Sequence, residues 1–386
     1  MRTVIAHSDE VETESALEDL LRQCDAGLAG ETPRGAVLFM TSEYDGDLVL
    51  SRLQERWPGL PLIGSSTDGE VSSVLGYRGD SVCLTLFTGQ GAEFVAAQGL
   101  APSCDLEGAL DEVLETLGER RPALCFVLCP GTTGNASDVI DGLHRRLTGR
   151  VCPIVGGLAG DHEVAPTTRQ FFGSEFHHDS LVVLFVCGDV KVSHGVASGW
   201  FPIGAPHTVT RSTGNKVHEI DDRPALEIYQ GLWGERVTTN LGEFPLAVFC
   251  GGEDGDYFLR AAMACDEAEG SVTFAGDVPT GSTVRLTEVV PDGILSGTQT
   301  SIRNALACFP GARPEVGLLI SCAARKWVLG TRAQEEIGEL LEAFEDLSLP
   351  TIQLAGFYAF GEICPVEAGG PPRLHNETCV TLLLGE

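Results

Sequence analysis

Apolar stretches that suit β-strands alternate along the chain with stretches whose apolar residues recur at helical spacing. The alternation occurs three times in one order: a strand, a loop of small polar residues, an amphipathic helix, a second strand and a closing strand. These repeats cover residues 35–89, 122–189 and 316–385. Because they are too long and too few for a solenoid, we expect an α/β fold of mixed β-sheets flanked by helices, built from duplicated repeats in two lobes.

Two short features recur at matching places in the three repeats. A proline precedes each second strand, at Pro61, Pro153 and Pro350. A pair formed by an acid and a hydroxyl residue opens each closing strand, as Asp80-Ser81, Asp179-Ser180 and Glu377-Thr378. The matching positions indicate that one structural unit has been duplicated.

Outside the repeats the pattern is less regular. Between 240 and 315 it predicts a meander of strands with tight turns, followed by a helix over 294–308. Thr331 and Gln334 form a capping box, which predicts that the helix of the last repeat covers 331–347.

A chain of 386 residues can fill two domains or three. The pattern changes near 205–225, and we place a domain boundary there. We expect an N-terminal domain over 1–210, which holds the first two repeats, and a C-terminal domain over 211–386, which holds the third.

The composition is that of a soluble globular protein, with 43% hydrophobic and 21% charged residues. No apolar run reaches the ~18 residues that a membrane-spanning helix needs, and the N-terminal stretch lacks the apolar core of a signal peptide. Most of the 13 cysteines lie inside apolar strands and no C-x-x-C motif occurs, so we expect reduced thiols. Together these features predict a cytoplasmic protein.

The charge balance is strongly acidic, with 25 basic against 55 acidic residues and a net charge of −30. Nucleic acids and anionic lipids are bound through positively charged surfaces. The composition therefore opposes both of these classes of partner.

Small polar loops follow the strands of each repeat, which is typical of a cleft at the carboxyl ends of strands. Glycine permits close approach of a ligand, and hydroxyl and backbone N–H groups supply neutral hydrogen bonds. The candidate ligand-binding residues in these loops are Ser65, Ser66, Thr67, Gly131, Thr132, Thr133, Gly157, Ser321 and Cys322. The alternative is that these residues only form tight turns.

A denser group of candidates lies in the last repeat. It combines a guanidinium that can bind a carboxylate, aromatic walls, an acid and a His–Asn pair, which suits a zwitterionic small molecule. Its members are Arg325, Phe357, Tyr358, Glu362, His375 and Asn376. Trp200 is a further candidate, which either stacks on the ligand or belongs to the core.

The acids Asp68 and Glu70 allow three interpretations: a carboxylate pair for acid–base chemistry, a binding site for an amino group, or caps of a turn. The chain has no dinucleotide fingerprint, phosphate-binding loop, H-E-x-x-H motif or G-x-S-x-G motif. His162, His194 and His207 lack neighbours at ligand spacing, so we expect structural or surface roles for them. We therefore predict no catalytic residue and no metal site.

Several segments, taken in order, resemble the FIST family. Those that resemble its N-terminal domain are GSSTDGE (64–70), VGGLAGD (155–161), GVASGWFPIG (195–204), VTRSTGN (209–215) and DDRPALEIY (221–229). Those that resemble its C-terminal domain are SCAAR (321–325), GFYAFGEICP (356–365) and HNETCVTLLL (375–384). The resemblance implies a sensory input domain of signal transduction that binds a small ligand such as an amino acid.

The resemblance also implies a separate signalling partner, such as a histidine kinase or a cyclic-nucleotide enzyme, because we find no output module in this chain. Some family members bind haem and sense nitric oxide, so a haem site with His375 or His194 as axial ligand is one alternative. An enzyme that acts on a small polar metabolite, and that depends on Glu362 or Cys322, is another. We expect a binding protein without a cofactor.

Overall fold

The computed structural model describes residues 2–150, 152–162, 167–234, 241–249, 255, 257–346 and 352–386. Three repeats with one element order dominate it: edge strand, helix, strand, helix, strand, two-stranded hairpin and closing strand. The first repeat comprises β1 (Arg2–Ser8), α1 (Thr13–Leu28), β2 (Gly35–Met40), α2 (Gly46–Arg56), β3 (Leu62–Ser66), β4 (Glu70–Ser72), β5 (Gly76–Arg78) and β6 (Val82–Thr88). The second comprises β7 (Ala92–Leu100), α3 (Leu106–Leu117), β8 (Pro122–Cys129), α4 (Ala136–Arg146), β9 (Ile154–Leu158), β10 (Gln170–Phe172), β11 (Glu175–His177) and β12 (Ser180–Gly188).

The third repeat has the same order, but a lobe is inserted after its edge strand β13 (Lys191–Ser198). The inserted lobe comprises β14 (Trp200–Thr213), β15 (Lys216–Ile220), β16 (Arg223–Pro224), α5 (Ala225–Trp233), β17 (Leu246–Phe249), β18 (Tyr257–Arg260), β19 (Ala262–Asp266), β20 (Ser271–Phe274) and β21 (Thr283–Val289). The repeat continues with α6 (Pro291–Ala307), β22 (Val316–Cys322), α7 (Ala323–Leu329), α8 (Glu335–Asp346), β23 (Gln353–Ala359), β24 (Glu362–Pro365), β25 (Pro372–His375) and β26 (Thr378–Gly385).

Each repeat builds a six-stranded mixed sheet in which one pair of neighbouring strands is parallel. The strand orders are β1-β6-β2-β3-β10-β11, β7-β12-β8-β9-β24-β25 and β13-β26-β22-β23-β4-β5. The last two strands of each sheet are a hairpin from another repeat. The first repeat gives its hairpin to the third sheet, the second to the first sheet, and the third to the second sheet. The repeats are therefore interlocked in a ring.

The three sheets enclose one apolar core to which every sheet contributes. Within it, Phe39 of the first sheet stacks on Phe357 of the third, with ring centroids 4.2 Å apart. Outside, α1 and α2 cover the first sheet, α3 and α4 the second, and α6 and α8 the third, each over an apolar layer. The predicted α/β class, with mixed sheets flanked by helices, is confirmed. In the described ranges, no helix has the length and apolarity needed to cross a membrane.

A glycine at one matching place in each repeat lets the parallel strands pack closely. These glycines are Gly64, Gly156 and Gly356. A Cβ atom at any of them would overlap the main-chain carbonyl oxygen of the residue opposite in register, which is Leu38, Val127 or Leu319. The position therefore excludes every side chain unless the backbone moves.

The inserted lobe is an antiparallel sheet in the order β18-β17-β21-β14-β15-β20-β19, with β16 beside β15 and its own apolar core. It confirms strands in the region predicted between 240 and 315, but not the predicted meander, because β18 and β19 lie at opposite edges of the sheet and β21 pairs with β14 and β17. Helix α6 confirms the helix predicted over 294–308. The three interlocked sheets with their covering helices are called the barrel here. Trp200 and Leu259 of the inserted lobe pack with Cys322 of the barrel. The two lobes are thus the barrel and the inserted lobe. Residue 210, where we expected the N-terminal domain to end, lies inside β14.

The last repeat departs from the local prediction. Residues 323–329 form α7, a helix that was not predicted, and α8 begins at Glu335 after a 3-10 turn over Gly330–Arg332. The single helix predicted over 331–347 was therefore wrong at its start, and residue 347 lies outside the described residues. The physical reason is tertiary: Glu336 is tied to Arg325 of α7 by a buried ion pair that the capping pattern does not reveal.

Candidate functional site

Strands β3, β9 and β23, one from each repeat, end close together, at the point where the chain of each repeat crosses to the next sheet. Main-chain hydrogen bonds join their ends, from Gly160 N to Ser66 O (3.0 Å), from Leu158 N to Gly361 O (2.8 Å) and from Asp68 N to Tyr358 O (3.0 Å). Loops that are far apart in the sequence therefore come together at this end of the barrel.

Each repeat uses one polar interaction here, between the first residue of its hairpin and the hydroxyl residue at the start of its closing strand. Ser81 Oγ donates to Glu70 Oε2 at 2.5 Å, Ser180 N donates to Gln170 Oε1 at 3.1 Å, and Thr378 Oγ1 donates to Glu362 Oε2 at 2.7 Å. The hydroxyl residues that recur in the sequence therefore tie the closing strand to the hairpin.

In the first two repeats, both polar atoms of the side chain that begins the hairpin, Glu70 or Gln170, have hydrogen-bond partners within the protein. Glu70 Oε1 accepts a hydrogen bond from the hydroxyl of Thr67, three residues earlier. Gln170 Nε2 donates to Thr168 Oγ1 at 3.2 Å. These two side chains are buried and have a complete set of partners within their own repeats.

The third repeat leaves its hairpin acid incomplete. Ala359 stands three residues before Glu362, so the hydroxyl that Thr67 supplies in the first repeat is missing. Glu362 Oε1 has no hydrogen-bond partner among the described residues. The Cys322 thiol interacts with this carboxyl, but a thiol is only a weak donor. One oxygen of Glu362 therefore stays available to another group.

Glu377 adds a second acid whose counterparts in the other repeats lie nearer to solvent. The side chain of Asp80 is 71% exposed and Asp179 is half-buried, whereas Glu377 is completely buried in a left-handed conformation at φ 60°. Neither carboxyl oxygen of Glu377 has a hydrogen-bond partner in the part of the chain that the structure describes. The inserted lobe covers this position, where Ala261 N donates to Asn376 Oδ1 at 3.4 Å.

Arg325 is completely buried in the same repeat. Its Nη2 lies 2.8 Å from Glu336 Oε1, and Tyr358 Oη donates to the other oxygen of Glu336 at 2.5 Å. Arg325 Nη1 alone of the guanidinium nitrogens has no partner among the described residues, so only this nitrogen is left for the ligand carboxylate that the sequence predicted. Arg325 also interacts electrostatically with Glu362 and Glu377.

Cys322, Arg325, Glu362 and Glu377 are named the third-repeat cluster here. Burial raises the pKa of Glu362 to about 8, and burial together with the neighbouring Glu362 raises the pKa of Glu377 well above its ordinary value. Burial and the two acids also raise the pKa of the Cys322 thiol. At neutral pH Glu362 is therefore protonated and Cys322 is a thiol, while the surroundings of Glu377 favour its protonated form.

Lys326, the residue after Arg325 in α7, reaches the first repeat. Its Nζ lies 2.7 Å from Asp68 Oδ1, and His162 Nδ1 of the second repeat lies 3.0 Å from the same oxygen. The hydrogen bond to Asp68 is the main reason that the pKa of His162 rises to about 9, so His162 is protonated at neutral pH. Asp68, His162 and Lys326 form a charged junction of all three repeats, and α7 links it to the third-repeat cluster.

The structure divides the predicted site residues into three groups. Those in or beside the third-repeat cluster are Trp200, Ser321, Cys322, Arg325, Tyr358, Glu362, His375 and Asn376. Those buried elsewhere in the three repeats are Ser65, Ser66, Thr67, Gly157 and Phe357. Gly131, Thr132 and Thr133 lie apart, before α4, where Thr133 lines a separate cavity of about 290 Å³.

The two histidines proposed as haem ligands flank Cys364. His375 Nε2 donates to Cys364 O at 2.9 Å, and the guanidiniums of Arg260 and Arg373 help burial to lower the pKa of His375 to about 4. A haem at His375 does not fit these surroundings, because they are charged and Nε2 is already bonded. His194 contacts Cys364 Sγ at 3.2 Å and lines a cavity of about 330 Å³ between the second and third repeats.

Sequence analysis did not select Glu377, Glu336 or Lys326. Glu377 was visible only as the acid of a recurring pair, and its burial depends on the inserted lobe. The suggested pairing of Asp68 with Glu70 is not what the contacts show, since Glu70 bonds within its own repeat and Asp68 contacts Lys326. No group of three or more His, Cys, Asp or Glu in the described ranges has an arrangement that could hold a metal ion.

Comparison with known proteins identifies one family. The model of the FIST N domain matches residues 35–223, and the model of the FIST C domain matches residues 225–365. An uncharacterized protein of Mycobacterium tuberculosis is 26% identical over 98% of each chain. Another, from Mycobacterium bovis, is 31% identical over 58% of each chain. A solved cyanuric acid hydrolase from A. caulinodans covers the whole chain at 9% identity, but its TM-score of 0.32 is too low to relate the folds.

Proposed function

Because the chain belongs to the FIST family, whose sensory domains are implicated in signal transduction and small-ligand binding, we propose that it senses a small polar molecule in the third-repeat cluster. An amino acid or a similar molecule suits this cluster, since Arg325 Nη1 can donate to a carboxylate and Glu377 can accept from an amino group. The signal passes to a separate partner protein, such as a histidine kinase or a cyclic-nucleotide enzyme.

The observation that carries this proposal is the set of unused polar atoms in the cluster. Four side-chain atoms have no partner among the described residues, namely Arg325 Nη1, Glu362 Oε1, Glu377 Oε1 and Glu377 Oε2. Each buried polar atom without a hydrogen bond costs about 1–3 kcal/mol. The hairpin side chains of the first two repeats, Glu70 and Gln170, have partners for both polar atoms. At the place of Glu377, Asp179 Oδ1 also lacks a partner among the described residues. The third repeat has the larger deficit, on both of its acids, which supports a ligand there.

Helix α7 offers a route from the ligand to the rest of the barrel. A ligand changes a conformational equilibrium only by binding one state more tightly than another. A ligand that draws Arg325 Nη1 toward itself acts on the helix that also carries Lys326, and Lys326 holds Asp68 in the first repeat. Ligand binding in the cluster would then shift the conformational equilibrium of the charged junction between the three repeats. A partner protein could detect this conformational change.

A thermal-shift screen with the twenty amino acids tests the proposal, because a molecule that binds only the native state raises its melting temperature. We expect at least one amino acid to raise the melting temperature of the wild type. Glu377→Gln should lose this response, since the amide replaces an acceptor oxygen by a donor. Asp179→Asn, at the matching position of the second repeat, is the control and should respond as the wild type does.

Two outcomes would contradict the proposal. The first is a screen in which no amino acid changes the melting temperature. The second is a response that Glu377→Gln and the wild type share, because the binding site would then lie elsewhere. The haem alternative predicts a Soret band in protein produced with haem, and the enzyme alternative predicts conversion of the added compound. The raised pKa of the Cys322 thiol does not favour the enzyme alternative, because the thiolate is the nucleophile.

A further inference from the structure

We propose that the cavity of about 330 Å³ between the second and third repeats is a second binding site, which takes a small uncharged molecule with an apolar body and one hydroxyl group. The hydroxyl group donates to His194 Nε2. The cavity lies where the hairpin of β24 and β25 joins the second sheet, and no residue of the third-repeat cluster lines it. Pockets for small molecules have volumes of about 300–1,000 Å³, so this cavity suits a molecule with a single ring.

The lining of the cavity determines the charge of its ligand. Its walls are largely apolar and include Leu147, Ile154, Val192, Pro365 and Pro372. None of the described residues that line it is Asp, Glu, Lys or Arg, although the chain has 55 acidic and 25 basic residues. A charged ligand would lose its hydration here without gaining a charged partner, which is costly. The lining therefore favours an uncharged molecule.

His194 is a buried side chain of this lining, and Cys364 fixes its ring. His194 Nδ1 lies 3.2 Å from Cys364 Sγ, and the same Sγ lies 3.2 Å from Pro365 O. A thiol has one proton, and a carbonyl oxygen can only accept. Both contacts are hydrogen bonds only if the thiol donates to Pro365 O and the Nδ1–H of His194 donates to Sγ. Burial lowers the pKa of His194, so the ring is neutral and Nε2 is an acceptor.

Nε2 of His194 is available to a ligand. It makes no hydrogen bond within the described part of the chain, and it is not sealed from solvent. Nδ1 faces Cys364, which does not line the cavity, so the other side of the ring, with Nε2, faces the cavity. An imidazole whose Nδ1 is held by a hydrogen bond presents Nε2 in a fixed direction, which suits recognition of one donor.

The hydroxyl groups of the lining already use their protons. Ser193 Oγ donates to Ala305 O at 2.7 Å, and Thr148 Oγ1 donates to His144 O at 3.2 Å. With these two protons committed, the hydroxyl groups offer only lone pairs to the cavity, as His194 Nε2 does. A ligand that supplies a donor therefore fits this lining better than one that supplies only acceptors.

The matching positions of the other repeats carry apolar side chains. Four residues beyond the hydroxyl residue that opens each closing strand, the partner on the edge strand is Ile5, Ala96 or His194. Six residues beyond it, the partner is Phe94 in the second repeat and Val192 in the third. The duplicated unit therefore does not require an imidazole here, and Ala96 and Phe94 show which other side chains the edge strand accommodates.

Saturation-transfer NMR with two matched probes tests the inference. p-Cresol has an apolar ring with one hydroxyl donor, and 4-fluorotoluene replaces that hydroxyl group by fluorine, which cannot donate. We expect p-cresol to bind the wild type about tenfold more tightly than 4-fluorotoluene, because only p-cresol completes the hydrogen bond to His194 Nε2.

Two variants copy residues of the second repeat. His194→Ala removes the acceptor and should abolish the preference for p-cresol. Val192→Phe reduces the volume of the cavity and should abolish binding of both probes. Glu377→Gln, in the third-repeat cluster, is the control and should bind p-cresol as the wild type does.

Three results would overturn the proposal: no binding of p-cresol, equal affinities of the wild type for the two probes, or binding that Val192→Phe leaves unchanged. Imidazole ¹⁵N NMR of the wild type is an independent check, in which Nε2 of His194 should be unprotonated and should shift when p-cresol is added. A proton on Nε2 in the free protein would overturn the assigned acceptor. None of these results depends on the amino acid screen, so either site can fail while the other stands.

Discussion

The strongest single test of the buried cluster is the replacement of Glu362 by glutamine, which removes an ionisable group but keeps its size. The carboxyl has an ordinary pKa of 4.5, and burial raises it to about 8 in the folded protein. As pH rises from 4.5 to 7, the unfolded chain loses this proton and the folded chain keeps it. Stability therefore falls over this range and stops falling above about pH 8.

The size of the effect follows from the two pKa values. One pKa unit corresponds to about 1.4 kcal/mol of differential interaction, so the 2.5 pH units between 4.5 and 7 amount to roughly 3 kcal/mol. Glutamine does not titrate, and Gln170 shows that an amide is accommodated at the matching position of the second repeat. We expect the free energy of unfolding of Glu362→Gln, minus that of the wild type, to increase by roughly 3 kcal/mol between pH 4.5 and 7.

Urea unfolding of both proteins at half-unit steps from pH 4.5 to 9 measures this difference. Groups that titrate alike in both proteins cancel, so the remaining pH dependence belongs to residue 362 and to Glu377, whose pKa Glu362 helps to raise. Glu70→Gln is a parallel variant, because the pKa of Glu70 is also raised to about 8 by burial. A difference that stays constant with pH would show that Glu362 is ionised in the folded protein, and the description of the cluster as protonated would have to be abandoned.

Three further predictions concern the barrel. Gly156→Ala should destabilise the protein by about 1–3 kcal/mol in urea unfolding, because the added Cβ overlaps the neighbouring strand. Gly338→Ala in α8 is the control: its Cβ meets no atom within 4 Å, and the change should stabilise the protein by about 0.5–1 kcal/mol. Equal effects of the two substitutions would contradict the close packing at Gly156. His162, whose pKa is raised to about 9, stabilises the fold fully below its ordinary value of 6.5, and this contribution should disappear as pH rises through 9. His162→Gln should therefore lose on the order of 1 kcal/mol at pH 6 and little at pH 10; a loss independent of pH would contradict the charged junction. Ala359→Ser restores a hydroxyl beside Glu362 and should weaken binding of any amino acid found in the screen, measured as a smaller thermal shift; an unchanged shift would mean that Glu362 Oε1 takes no part in binding.

Local patterns predicted the elements of the fold well, because the residues that form them are close in sequence. The strand and helix periodicities of 35–89 and 122–189 correspond to strands and helices of the first two sheets. The exchange of hairpins could not be predicted in this way. Glu70, for example, begins a strand that pairs with Phe357, and no local signal connects residues nearly 300 positions apart.

In the candidate site too, the sequence predicted some residues, and others were recognisable only from tertiary contacts. Residue type alone selected Arg325, Glu362 and Cys322, and the structure places these side chains together. Glu336 was not selected, because a glutamate on an amphipathic helix ordinarily faces solvent, and only the packing of α8 on α7 reveals its buried pair with Arg325. Glu377 was not selected, because a lobe that is inserted more than 80 residues earlier in the chain covers it.

Because each sheet receives its last two strands from another repeat, no repeat can complete its sheet alone. A polypeptide cut after the second repeat would leave β4 and β5 without the strand they pair with, and the second sheet would lose β24 and β25. Each exposed border would present unpaired main-chain groups, which promote aggregation. Ring closure must therefore await synthesis of the final strands, so a shortened version is expected to be insoluble instead of being a smaller working sensor.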